Sequence, residues 1–306
     1  VYKRQWQNPL PTGNTLYDVW GSSAGDVFAV GGEGTMLRYD GAAWSPMSSG
    51  TAEGLLGVWG VGADDVYAVG WAGTTLHFDG AAWSAMNSGT TEHLYDVWGV
   101  SASDIYAVGT SGAILHYDGA AWGLMSSGTV DDLHGVWGSS ASDVYAVGES
   151  GAIVHYDGMA WSPMASGTSV WLNGVWGSSA GDVFAAGSGG TILHYDGSAW
   201  SPMTSGTTDS VEGVWGTSGS DVFAVSSNWM GPGTILHYDG TGWRAVGSSA
   251  AGSLYGVWGS SSHDVHAVGM YGTLLHYDSM HWTQMSSGTY ANLYGVWGSS
   301  AGDIFA

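Results

Sequence analysis

The frame Gly-x-Ser-x-Gly, which in a hydrolase presents a nucleophilic serine on a strained strand-to-helix turn, occurs at residues 21–25, 177–181 and 298–302. Here each serine lies between two β-type runs and recurs with a repeat, which predicts a hairpin turn and no nucleophile. A second recurrent group is histidine: His77, His116, His155, His194, His237 and His276 fall at one position, and imidazole is a common transition-metal ligand. Equivalent residues of separate units stand a unit apart, and no unit is expected to supply a second His at ligand spacing. These histidines are therefore expected to be packed and hydrogen-bonded. Sialidase-type chemistry needs clustered arginines to hold a carboxylate bidentately, whereas Arg4, Arg38 and Arg244 fall in unrelated parts of separate units. A carboxylate pair roughly 5 to 9 Å apart would suit glycoside hydrolysis, but spacing along the chain does not supply that distance. The expectation is a protein that binds without catalysing.

Composition narrows the field. Among the 306 residues, 26 acids face four Lys and Arg, a formal charge of -22 that would repel a phosphate backbone and excludes nucleic acid as the expected partner. With no cysteine there is no disulfide, thiolate metal site or cysteine nucleophile. Only 10% of residues are charged and 44% are hydrophobic, which predicts a large core and excludes a disordered acidic polymer. No apolar run approaches the roughly 18 to 20 residues of a membrane helix, so no membrane insertion is expected. The chain starts at Val1 with neither Met nor a basic-then-apolar leader, and a processed, tagged or excerpted product is expected.

The elements that position these groups repeat. Val-Trp-Gly, or a register equivalent, centres on Trp20, Trp59, Trp98, Trp137, Trp176, Trp215, Trp258 and Trp297, at steps of 39 residues with one step of 43. A second series, Trp44, Trp83, Trp122, Trp161, Trp200, Trp243 and Trp282, follows Tyr-Asp-Gly or a variant, and Trp6 is in register with it. Each unit holds four short β-branched or aromatic runs, in the first unit A (residues 16–21), B (27–30), C (35–39) and D (44–47), separated by Gly, Ser and Asp clusters. Apolar residues occupy both faces of each run, which predicts sheets covered on both sides. Four-stranded units of this length bury two faces by radial stacking into an all-β propeller.

A single domain over residues 1–306 is expected, with eight blades. The eighth would be split between the termini, taking strands A and B from residues 293–306 and strand D from residues 6–9, with most of strand C absent. Such closure protects sheet edges, while an incomplete blade could accept a strand from another copy, so self-association is one expectation. Asp recurs in every A-to-B turn, from Asp26 to Asp303, and in the C-to-D turns, from Asp40 to Asp278. It is expected to accept hydrogen bonds from its own following amides. Calcium is the alternative for these turns, with a thin ligand set, so no cofactor is assigned.

The segment Tyr-Asp-Gly-x-x-Trp resembles the Asp-box turn of sialidase-type and other secreted propellers, and the whole unit resembles Trp- and Gly-rich propeller repeats of exported bacterial proteins. His, or Arg38 in one unit, replaces the Ser or Thr that the Asp-box carries two positions before the Asp. The resemblance implies the propeller fold and an extracellular or cell-surface location.

Positions that differ between units are not needed by the shared fold. They concentrate in the D-to-A connections (Glu53, Glu92, Asp131, Asp132, Trp171, Tyr290) and the B-to-C turns (Glu33, Trp71, Glu149, Tyr271, and the longer segment with Trp229). Both connections emerge on one side of a propeller, where loops on a rigid scaffold carry function. Aromatic rings beside carboxylates suit a sugar's pyranose face, and equally a protein interface anchored by Trp. The expected ligand is a glycan, lectin-like, with a surface protein or structural assembly as the alternative.

Overall fold

The computed structural model describes residues 12–228, 231–247, 250, 252–300 and 302–306. Among them are seven four-stranded antiparallel sheets, each in the order A-B-C-D, and one two-stranded piece. The sheets cover residues 16–46, 55–86, 94–125, 133–163, 172–203, 210–245 and 254–284, called blades 1 to 7, and the piece pairs Trp297–Ser300 with Asp303–Phe305. In blade 1 the strands are A (Leu16–Ser23), B (Asp26–Gly31), C (Met36–Tyr39) and D (Trp44–Pro46).

The all-β propeller is therefore present, but the described residues form seven complete blades and a two-stranded piece where eight closed blades were expected. Strand D of the eighth, expected over residues 6–9, lies outside the described residues. Among the described residues the second strand of the piece has no third strand beside it.

The faces of the blades are buried because blades stack on one another. Every B-strand residue from Val27 to Gly31 is buried, as are its counterparts in the other blades. Core layers lie between blades: Phe28, Val30 and Met36 of blade 1 pack with Leu55, Val58, Leu76 and Phe78 of blade 2. The D-strand Trp of one blade meets the B-strand aromatic of the preceding blade edge-on, as Trp83 meets Phe28 at 5.9 Å.

The Val-Trp-Gly motif is the interlock. The Trp20 indole lies over Gly60 of blade 2 so closely that a Cβ there would stand 2.7 Å from the ring, and Trp59 covers Gly99 in the same way. Trp258 covers Gly298, and Trp297 covers Gly21 of blade 1, so the piece stands between blades 7 and 1 at the inner ring. The outer D strands are three or four residues long, and Pro46, Pro163 and Pro202 remove amide donors there, which blunts the exposed edges.

The recurrent Asp residues divide into two kinds. In the C-to-D turns the expectation holds: Asp40 Oδ1 accepts from the amides of Ala42 and Ala43, both at 2.9 Å, beside Gly41 at φ +90°. In the A-to-B turns it does not. Asp65 pairs with His77 Nε2 at 2.8 Å, Asp143 with His155 at 2.7 Å, and Asp26 with Arg38 Nε at 2.7 Å. These Asp residues open strand B, and register places them across the sheet from the end of strand C. The second carboxylate oxygen is taken by a hydroxyl of the A strand, as Asp26 Oδ2 accepts from Ser22 Oγ at 2.9 Å.

Candidate functional site

The B-to-C and D-to-A connections share one face, and hydrogen bonds lock them together. In the D-to-A connections a recurrent Thr, replaced by Ala250 between blades 6 and 7, accepts from the amide two residues later, as Thr51 does from Glu53 and Thr90 from Glu92. In each three-residue B-to-C turn the middle residue adopts left-handed backbone: Glu33 at φ 55°, Ala72 at 52°, Ser111 at 57° and Tyr271 at 57°. That conformation is unfavourable for a residue with a Cβ. In three of these turns its amide is held by the following D-to-A connection: Ala72 N donates to His93 Nδ1 (2.9 Å), Ser111 N to Asp132 Oδ1 (2.8 Å) and Tyr271 N to Asn292 Oδ1 (3.2 Å).

All predicted site residues within the described chain lie on this face, but they do not form one pocket. Trp71 packs over Gly54 and stands 6.3 Å from His93. Glu92 Oε2 accepts from Thr110 Oγ1 (2.6 Å) and Ser111 Oγ (3.1 Å), bonds that hold its carboxyl below the usual range. Asp131 accepts from Thr129 Oγ1 at 2.9 Å. Glu149 approaches His134 to 3.9 Å, and Trp171 lies 6.1 Å from the same imidazole. Burial lowers the His134 pKa, against the opposing pull of Glu149 and Asp132. These residues follow an arc from blade 1 to blade 5, with Glu33 and Glu53 exposed at its start. Tyr271 and Tyr290 stand apart beside blade 7, 59% and 92% exposed, while Trp71 and Trp171 are 42% and 54% exposed. Trp229 lies outside the described residues.

Sequence reasoning missed a collar inside this arc. The second A-strand position is Tyr17, Leu56, Tyr95, His134, Asn173, Glu212, Tyr255 and Tyr294, all half-buried. The A strands stand side by side around the axis, so these side chains meet their neighbours from adjacent units. Tyr255 stacks on Tyr294 at 4.8 Å, Tyr294 meets Tyr17 at 5.9 Å, and Tyr95 meets His134 at 5.2 Å. Asn173 Nδ2 donates to Glu212 Oε2 at 3.1 Å. The signal was available, because this position varies as strongly between units as the loops do.

One residue further along strand A, six units carry Gly and two carry Asp18 and Asp96. Asp18 accepts from Val19 N and from Val58 N of the next blade, both at 2.9 Å, and Asp96 bonds Val97 N and Val136 N in the same way. Burial dominates over these bonds and raises Asp18 to about 7 and Asp96 to about 6.

Charge is segregated. All five glutamates (Glu33, Glu53, Glu92, Glu149, Glu212) lie on this face. The described arginines pair elsewhere, Arg38 with Asp26 and Arg244 with Asp239 beside the constant turns. Among the described residues the variable face carries no Lys or Arg, and the partners of Glu92, Asp131 and Glu212 are neutral donors.

No family model and no curated protein sequence matches the chain. Solved structures do. YCF48 bound to D1 peptide is 19% identical with a TM-score of 0.68, over 88% of this chain and 93% of that one. YCF48 from Cyanidioschyzon merolae is likewise 19% identical at 0.68, over 89% and 98%. The C-terminal WD40 domain of Sif2 is 12% identical at 0.74, over 94% and 91%. The Asp-box resemblance is thus supported only as far as the fold: the chain has the β-propeller fold that these proteins share.

Proposed function

We propose that this chain is a non-catalytic protein-interaction module that holds a polypeptide segment carrying Lys or Arg across the variable face, over the collar. The observation that carries this reading is the placement of all five glutamates on that face with no Lys or Arg beside them among the described residues. An acidic surface steers and selects cationic partners, and exposed Trp and Tyr supply anchors that desolvate on contact. A structural neighbour of the same fold has been solved with a peptide bound. Export to the cell surface, which the sequence resemblance implies, belongs to this proposal as its setting.

The test is fluorescence anisotropy with labelled peptides of matched length that are basic, neutral or acidic, at low and high salt. Saturable, salt-sensitive binding of the basic set supports the module. Equal binding of all three sets, or none, overturns it. A lectin-like function is the second reading, favoured by exposed Trp71 and Trp171 on the acidic arc. A glycan array decides it: saturable binding lost in the Trp71→Ala, Trp171→Ala double variant supports a sugar site.

A further inference from the structure

Blade 7 departs from the others at one buried point. The residue two after the A-to-B aspartate is Phe28, Tyr67, Tyr106, Tyr145, Phe184, Phe223 or Phe305 elsewhere, and His266 here. This overturns the expectation that no unit holds a second histidine at ligand spacing. In other blades the aromatic ring stacks on the C-strand histidine, as Tyr67 does on His77 at 4.6 Å and Phe223 on His237 at 4.3 Å. His266 keeps that stack on His276 at 4.5 Å, with no accessible surface, but neither of its ring nitrogens has a hydrogen-bond partner. A buried polar atom left without a partner is destabilising, and a Phe would fill the same space without that penalty. The neighbours of this ring are also ligand types. His276 Nε2 lies 2.7 Å from Asp264 Oδ1, and Ser260 Oγ donates to Asp264 Oδ2 at 2.6 Å. One ligating atom from each of Asp264, His266 and His276 lies within 4.8 Å of the other two.

We propose that blade 7 carries a site for a divalent transition-metal ion, zinc foremost, with Asp264, His266 and His276 as its three ligands. Two imidazoles and one carboxylate are the donor set of a zinc site that leaves its fourth position to water, and they do not suit calcium or magnesium, which take mainly oxygen. Ligand atoms around tetrahedral zinc stand about 3.3 Å apart, so the two rings tilt out of their stack to close on the ion. Ser260 orients the Asp264 carboxylate from outside the ligand shell, as outer partners of metal sites do. No other blade can hold this ion in the same way, since each places a ring without a ligand atom, or a Tyr, where His266 stands.

The tag-free chain, stripped with chelator, is titrated with Zn2+ by calorimetry and with Co2+ by visible absorption. The expected result is one ion per chain, cobalt bands of tetrahedral intensity, and a rise in Tm of about 5 °C when free Zn2+ exceeds Kd a hundredfold. His266→Phe installs the aromatic of the other blades; it is expected to fold with an unchanged or higher metal-free Tm and to lose both the bands and the Tm response. Absence of one-to-one uptake by the unmodified chain overturns the site, and so does undiminished uptake by His266→Phe, which would assign binding to exposed histidines such as His263 or His281.

Discussion

The two faces of the disc carry similar turns and opposite treatments of charge. On the constant face most acids are matched locally: Asp40 and its counterparts accept two amides of their own turn, and the A-to-B aspartates of blades 1 to 7 pair with His or Arg across the sheet. On the variable face the acids meet mainly neutral donors, and one of them, Asp132, holds the amide of the left-handed turn residue Ser111. The comparison teaches that variation is tolerated where several side chains can do one structural task. His93, Asp132 and Asn292 all accept the same amide, so the position is free to differ in charge and shape, and a surface can be tuned without disturbing the blade.

The largest effect that separates scaffold from surface is expected at tryptophan. Trp98→Ala empties the interlock over Gly138 and should cost about 3 to 5 kcal/mol in chemical denaturation. Trp71→Ala, on the variable face, should cost less than about 1 kcal/mol. Equal losses would break the division. Gly138→Ala tests the other half of the interlock: a Cβ there would stand 2.6 Å from the Trp98 ring, and the clash should cost about 1 to 3 kcal/mol.

The pH dependence comes next. Asp18 and Asp96 have folded pKa values raised to about 7 and about 6 from 3.8. Each binds its proton more tightly folded than unfolded, so its stabilising contribution is complete below about pH 4 and is lost as pH rises through 6 to 7. The stability advantage of the unmodified chain over Asp18→Asn should therefore be greatest near pH 4 and shrink toward pH 8, in urea melts across that range. A gap that widens with pH would show the carboxylate to be stabilised in its charged form.

The smallest effects concern the surface charges. Neutralising Glu33, Glu53 and Glu149 together to Gln should weaken binding of a basic peptide by about tenfold and flatten its salt dependence while leaving Tm within a degree or so. Asp79→Asn, on the constant face, should lower Tm slightly through its turn amides and leave peptide binding unchanged. Reversal of these two outcomes would place the binding surface on the other side of the disc.

Much of this was legible in the residues. The four runs read in the first unit lie within a residue or two of the observed strands of blade 1, because β-branched runs bounded by Gly and Asp are local signals. The C-to-D turn was read correctly for the same reason, its bonds spanning three residues. The A-to-B aspartates were misread because their partners lie twelve residues away across the sheet, as Asp65 and His77 do. The collar was overlooked because Tyr17 and its counterparts sit inside a regular strand, where variation looks like drift until neighbouring units are brought together. His266 escaped notice because its partner His276 is ten residues distant and becomes a neighbour only through strand pairing.

The sequence by itself determined the blade: a 39-residue period, Trp and Gly at fixed places, and turns whose hydrogen bonds close locally. The tertiary structure decided what the blades make together. Contacts between Trp297 and Gly21, between Tyr255 and Tyr294, and between Asp18 and Val58 join residues of different units, and closure around a common axis sets their distances. No local propensity encodes that closure, because it follows from the angle at which one buried sheet face packs on the next.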